Sequence, residues 1–194
     1  MPPVSVVVAY KRTCLLLLVM ALGIAFAVTD LRVATWHALL PLFEWMETTP
    51  MGVVGKTWGA VFALVQTVHL LAMALLGGAV LAADGRLLGL LLTDQPLQQV
   101  QGQCHRVWLL GLLLVVTSGI FMACGVALKV YYLEVFWFKM LALTVGVLFQ
   151  WFVRRPLVDH YGAVSQGSLR LVAVASLVIW FSVAATGRWI GFSG

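Results

Sequence analysis

Charge is scarce in this chain: Asp, Glu, Lys and Arg together make up 10% of 194 residues. Soluble domains carry about a quarter, and with 62% hydrophobic residues and a mean hydropathy of +1.03 the composition excludes a water-soluble fold. Cysteine is equally sparse. Cys14, Cys104 and Cys124 form no CxxC or CxxCH pair, which excludes a zinc ribbon and covalent c-type haem attachment. Small-hydrophobe packing accounts for all three. Also missing are HExxH, GxSxG, a Walker loop and GxGxxG ahead of a helix, so no residue is assigned as catalytic. Net charge is +5, from 12 basic and 7 acidic side chains that fall mostly between apolar runs. The excess is topological information, and nucleic acid is not an expected partner.

What is present is long apolar sequence. A span of the hydrocarbon needs about 20 residues as helix, and five stretches approach or exceed that length. They cover about residues 13–29, 57–82, 106–126, 132–153 and 169–187. The first follows Lys11 and Arg12 like a signal peptide, but no small-residue cleavage site follows, so retention as a transmembrane helix is expected. Between the first two spans, residues about 33–49 place Trp36, Leu39, Leu40, Phe43 and Met46 at roughly helical spacing beside Glu44 and Glu47. This predicts a short interfacial amphipathic helix stopped near Pro50. The expected architecture is an all-α integral membrane protein with five spanning helices in one bundle, a single membrane domain over residues 1–194.

Basic residues orient it. One set of helix ends carries Lys11, Arg12, Arg86, Arg106, Arg154, Arg155 and Arg170, the other Arg32, Lys56, Lys129 and Arg188. The positive-inside rule puts the N terminus in the cytoplasm and the C terminus outside.

One ionisable side chain stands out inside an apolar run. His69 lies in LVQTVHLLAMALLGG, and steps of three and four from it reach Phe62, Gln66, Met73, Gly77, Val80 and Asp84, a stripe that should face protein. The third span has a matching stripe in Gly111, Val115, Ser118, Met122 and Gly125, and the fourth in Phe136, Lys139, Leu143, Gly146 and Gln150. Small residues on these stripes let backbones approach, or leave room for a flat ligand. Three roles for His69 stay open: a structural residue bonded to a group such as Ser118 or Gln150, an axial ligand of a b-type haem, or a proton or metal relay. Imidazole and thioether are common haem ligands. His37, His105 and His160 fall at or beyond helix ends, which leaves Met122 and Met140 as candidate second ligands.

Lys139, in YYLEVFWFKML, is the other costly residue, at about 2.5–3.5 kcal/mol for a lysine at mid-bilayer. It either snorkels or packs against Glu134, or meets an anionic group such as a haem propionate or a lipid or quinone head group. Arg188 ends the fifth span on the same side and would share that task.

The stretches TVHLLAMALLGGAVLAADGRLLGLLL, HRVWLLGLLLVVTSGIFMACG, FWFKMLALTVGVL and SLVIWFSVAATGRWIGF together resemble an uncharacterised bacterial family of small multi-pass integral membrane proteins. The resemblance runs from about residue 57 to 192. In that family the histidine helix ends in an Asp-Leu-Arg-Leu-Leu-Gly-like motif, matched by Asp84, Arg86, Leu87, Leu88 and Gly89. Its Phe-x-x-Lys matches Phe136 and Lys139, and its closing Gly-Arg pair matches Gly187 and Arg188. The family is loosely similar to bacterial membrane bundles associated with copper resistance and b-type cytochromes, an analogy of fold. Many members carry an acid where this chain has Gln66, and a histidine where it has Arg154 or a neighbour. If that second histidine is the haem ligand in relatives, its absence here implies a lost site.

The expected function is a non-catalytic subunit of a larger complex in the bacterial inner membrane, with other membrane subunits and the lipid bilayer as partners. It either binds haem b for electron transfer or serves as an accessory subunit without a cofactor. Candidate cofactor-binding residues are His69, Gln66, Met122, Met140, Lys139 and Arg188, with His69 as the metal ligand. A small metal or proton transporter is the third alternative, disfavoured because only His69 and Lys139 are available as buried ionisable groups.

Overall fold

The computed structural model of the protein describes residues 31–193, and all regular secondary structure among them is helical. The expected first span, residues 13–29 with Cys14, lies outside the described residues. The chain divides into two compact units, Met1–Leu42 and Phe43–Gly194. Of the first, the described part is the beginning of α1 (Leu31–Thr48), which carries Pro41 inside the helix.

In the second unit α1 ends at Thr48, and Thr49 starts a new helix at once. Its hydroxyl accepts from the Gly52 N–H and Pro50 occupies the first turn of α2 (Pro50–Thr57), where the missing N–H has no intrahelical partner to lose. Pro50 therefore begins a helix as well as ending one. The long elements follow: α3 (Gly59–Leu88), α4 (Leu97–Gly125), the short α5 (Ala127–Tyr131), α6 (Glu134–Phe149), a π-helical turn (Gln150–Arg154), α7 (Arg155–Asp159), a 3-10 turn (Tyr161–Ala163) and α8 (Gln166–Ile190).

Four of these are long and apolar enough to cross a membrane: α3, α4, α6 continued through α7, and α8. The observed helices outrun the hydrophobic runs from which they were read. Helix α4 starts at Leu97 and takes in the polar segment Gln98–Gln103, and α3 continues six residues past Ala82 through Asp84 and Arg86. Hydropathy misses both extensions because they are polar: Asp84, Arg86 and Gln101 are bonded to protein, while Gln98, Gln99 and Gln103 are exposed. Within the spans, hydroxyls bond back to the preceding turn, as Thr67 does to the Ala63 carbonyl, Thr144 to Met140 and Ser182 to Val178, so they cost little in an apolar setting.

Helix α3 stops at Gly89, whose φ of +77° is left-handed and unstrained only without a Cβ. The Leu90 N–H reaches back to the Gly85 carbonyl, a Schellman-type closure. At the far end of α6, Pro156 has no N–H to give and its ring crowds the preceding turn. The helix widens, and the Arg155 N–H bonds the Gln150 carbonyl five residues back. That extra residue turns both Gln150 and Arg154 inward, 5% and 6% exposed.

Packing fixes the register. Helices α3 and α4 run antiparallel, with His69 beside Ser118, Leu76 against Gly111 and Ala83 bonded to Gln101. Helices α6 and α8 pair through Lys139 with Gly187 and Gly146 with Trp180. Because Gly187 also meets Met73, α6 begins and α8 ends near the level of His69. Helices α3 and α4 continue roughly 15 Å further, where α2 crosses α4 with Gly55 against Gly125. Phe43, Tyr131, Phe136 and Trp137 pack together at the start of α6, their rings 5.2–6.2 Å apart. Between the ends, Leu76, Ala79, Val80, Trp108, Trp180 and Val183 form one apolar core.

Candidate functional site

The His69 site begins with its neighbour on α4. Ser118 Oγ donates to the Leu114 carbonyl at 2.5 Å and lies 2.9 Å from His69 Nδ1. A hydroxyl has one hydrogen. In the tautomer in which that hydrogen stays on Leu114, Nδ1 carries its own proton and donates to Ser118, and Nε2 keeps a lone pair. His69 is 7% and Ser118 7% exposed, so the chain of bonds is shielded from solvent. Gly119 is the next residue on α4, and a Cβ there would come within 3.3 Å of the imidazole. Ser118 is one of the two partners named for a structural His69, the other being Gln150.

Lys139 stands in the second turn of α6 and points into the bundle. A Cβ on Gly187 would lie 3.2 Å from its Nζ and 3.5 Å from Met73 Cε. The ammonium is near enough to interact electrostatically with His69. Packing against Glu134 is thereby corrected: Lys139 faces α8, where Gly187 makes room for it, and Glu134 is exposed.

The other expected site residues divide. Met122 lies one turn beyond Ser118 on α4, and Met140 follows Lys139 on α6; both are half-buried. Gln66 is exposed, although the stripe arithmetic faced it inward with His69. The reason is the register: one turn before His69, α6 and α8 have ended and no longer surround α3. Arg188 is also exposed, with its guanidinium 4.2 Å over the Phe192 ring. In the aromatic run Phe136-Trp137-Phe138, Phe136 and Trp137 turn in toward Phe43 and only Phe138 faces out.

A second polar cluster escaped the sequence reading. Asp84, counted at the end of the α3 stripe, and Arg154, counted as a loop cation, are both buried, at 0% and 6% exposed. Arg154 Nε donates to Asp84 Oδ1 at 2.7 Å and an Nη to Gln101 Oε1 at 2.9 Å, while Gln101 Nε2 donates to the Ala83 carbonyl at 2.7 Å. Ser176 of α8, 0% exposed, is close enough to act on the Asp84 carboxylate, although its hydroxyl and Asp84 Oδ2 complete no hydrogen bond. His69 and Lys139 are thus not the only buried ionisable groups. The two clusters lie on opposite sides of the Leu76, Val80, Trp108, Trp180 and Val183 core.

Each motif singled out in the sequence now has a physical job. In the segment Asp84 to Gly89, Asp84 takes the Arg154 ion pair, Arg86 donates twice to the Gln95 carbonyl (3.0 and 2.9 Å) and holds the following loop, Leu87 packs with Val158 and Ala173, and Gly89 closes the helix. The Phe-Lys pair supplies a ring to the aromatic end and an ammonium to the His69 region. The Gly-Arg pair makes room for that ammonium and caps α8 beside Phe192.

Among the described residues no three His, Cys, Asp or Glu side chains cluster as a metal cage. Comparison with curated proteins and with solved structures gives no match. A family model does match, over residues 42–193, and the chain belongs to that family, described as a family of unknown function, DUF6644.

Proposed function

We propose that the protein is a non-catalytic subunit of an assembly in the bacterial inner membrane and that His69 Nε2 serves as axial ligand to a b-type haem. The observation that carries this is the contact with Ser118. The Ser118 hydroxyl lies 2.9 Å from Nδ1 and orients the ring; with Nδ1 as the donor, Nε2 keeps its lone pair, the arrangement that ligating histidines ordinarily need. His69 would hold the group through Nε2, Met122 or Met140 would add a thioether, and Lys139 would add an ammonium for a propionate. Haem would add a one-electron couple whose potential depends on that second ligand. In this reading residues 13–29 form a fifth span, α1 lies along the outer membrane surface, and the N terminus is cytoplasmic with the C terminus periplasmic.

The test is a dithionite-reduced minus oxidised visible spectrum of the purified protein, with a pyridine haemochrome assay. The expected result is a sharp b-type α-band at near one haem per chain, abolished in His69→Ala. A featureless spectrum from folded protein isolated with its native partners overturns the haem.

One observation favours the cofactor-free accessory subunit instead. Gln66 is an exposed amide inside an apolar span, and an intramembrane polar side chain belongs against protein. In that case His69 serves packing alone, and Gln66→Leu weakens co-purification of a partner while leaving the fold intact.

A further inference from the structure

At the end of the bundle where α3 stops and α4 begins, a cavity of about 280 Å3 opens between α4 and α7, lined by Gln98, Gln101, His105, Arg154, Arg155 and Asp159 among others. We infer that this cavity binds a phosphate group, either the head group of a phospholipid or a free phosphate. The inference stands apart from His69 and from haem.

Charge at the cavity wall points to an anion. Asp84 neutralises Arg154 from behind and does not line the cavity, so the cavity meets the guanidinium and not its carboxylate. The bonds to Asp84 and Gln101 use Nε and one terminal nitrogen of Arg154. They also fix the plane of the fork, and the remaining terminal nitrogen has no partner among the described residues. Arg155 is joined to Asp159 at 3.9 Å, with both side chains more than half exposed, a contact worth little and easily given up. Planar guanidinium forks match phosphate oxygens, two hydrogen bonds to a group.

His105 supplies the independent observation. Its Nδ1 is buried and has no hydrogen-bond partner, while its ring lies nearly parallel to Trp108, centroids 5.9 Å apart and planes 13° apart. A buried polar nitrogen left unpaired is costly, and a small turn of the ring, with the proton on Nδ1, would let it donate to a phosphate oxygen in the cavity. The amide of Gln98 adds a neutral donor on the same face of α4. Basic pockets between transmembrane helices at head-group depth are where anionic lipids are held, and the end bearing Arg86, Arg106, Arg154, Arg155 and Arg170 is that depth for this bundle.

Two variants test it while leaving the Asp84–Arg154–Gln101 bonds intact. Arg155→Gln removes the mobile guanidinium, and His105→Phe removes Nδ1 while keeping a ring on Trp108. Delipidated protein in detergent is unfolded thermally with inorganic phosphate or with chloride at equal ionic strength, and native mass spectrometry counts phosphatidylglycerol and phosphatidylcholine retained per chain. A ligand bound only by the folded state raises the unfolding temperature. Stabilisation by inorganic phosphate without lipid preference assigns the cavity to a free phosphate. Selective retention of phosphatidylglycerol assigns it to a head group. In either case each variant weakens binding about tenfold or more, the scale of one charge-assisted hydrogen bond. Equal behaviour in phosphate and chloride with no lipid preference, or unchanged binding in both variants, overturns the inference.

Discussion

Arg154 and Asp84 are seventy positions apart in the chain and meet at 2.7 Å in the interior of the bundle, where neither is more than 6% exposed. The contact ties the π-helical turn to α3, and Gln101 extends it to α4. Without the register shift at Pro156, Arg154 would point elsewhere on its helix.

Removing one partner should be far worse than removing both. Arg154→Met strands a buried carboxylate and is expected to cost about 3–5 kcal/mol, whereas Arg154→Met with Asp84→Leu recovers most of it. Reversible unfolding in mixed detergent micelles, followed by tryptophan fluorescence, measures both. Equal losses in the single and double variants would show that the pair adds nothing beyond the volume it fills.

Ser118→Ala removes the hydroxyl bonded to His69 Nδ1. Hydrogen bonds between transmembrane helices average about 0.6 kcal/mol, so the stability change is expected to be small. The larger effect should appear in the imidazole, whose nitrogen resonances in 15N-histidine-labelled protein shift toward a mixture of tautomers. Unchanged resonances would mean that Ser118 does not set the proton position.

Gly187 and Lys139 should be coupled. Gly187→Leu places branched carbon where the Lys139 ammonium sits and is expected to destabilise by about 1–3 kcal/mol, the range for overpacking. In a Lys139→Ala background the same change should cost less. A double-mutant cycle in micelle unfolding reads the coupling, and additive losses would place Lys139 away from α8.

Glu47 gives a pH dependence outside the spans. Its Oε1 accepts from the Leu128 N–H at 3.1 Å and its Oε2 from Lys56 at 3.1 Å, and these hold the carboxyl below the usual Glu range, with the backbone bond the larger cause. A carboxylate with a lowered folded pKa contributes stability above its unfolded value and loses it as pH falls through the folded one. Wild type should therefore lose thermal stability on acidification below the ordinary Glu range more steeply than Glu47→Gln. Parallel curves would remove Glu47 from the account.

The four described spans are legible as apolar runs because lipid leaves little choice of composition. The stripes Gly111-Val115-Ser118-Met122-Gly125 and Phe136-Lys139-Leu143-Gly146-Gln150 are legible from helical spacing, and every member is buried or half-buried. Gln66 is misread because spacing fixes the side of a helix but not how far its neighbours extend. Asp84, placed on the inward stripe, is buried as that stripe requires, but its partner is missed. A charge near the end of an apolar run, as Arg154 is, reads as a loop residue, and only the pairing of distant segments shows that the two neutralise each other. One signal was in the sequence: Pro156 directly after two arginines forecasts a local departure from α geometry.

The apolar layer between the two polar clusters bears on what such a protein costs the cell that makes it. Leu76, Val80, Trp108, Trp180 and Val183 carry no titratable group, so a proton at His69 meets no acid or base among them on the way to Asp84. Making the protein abundantly should therefore leave a proton gradient standing, which a pH-sensitive dye in vesicles carrying the purified protein would read.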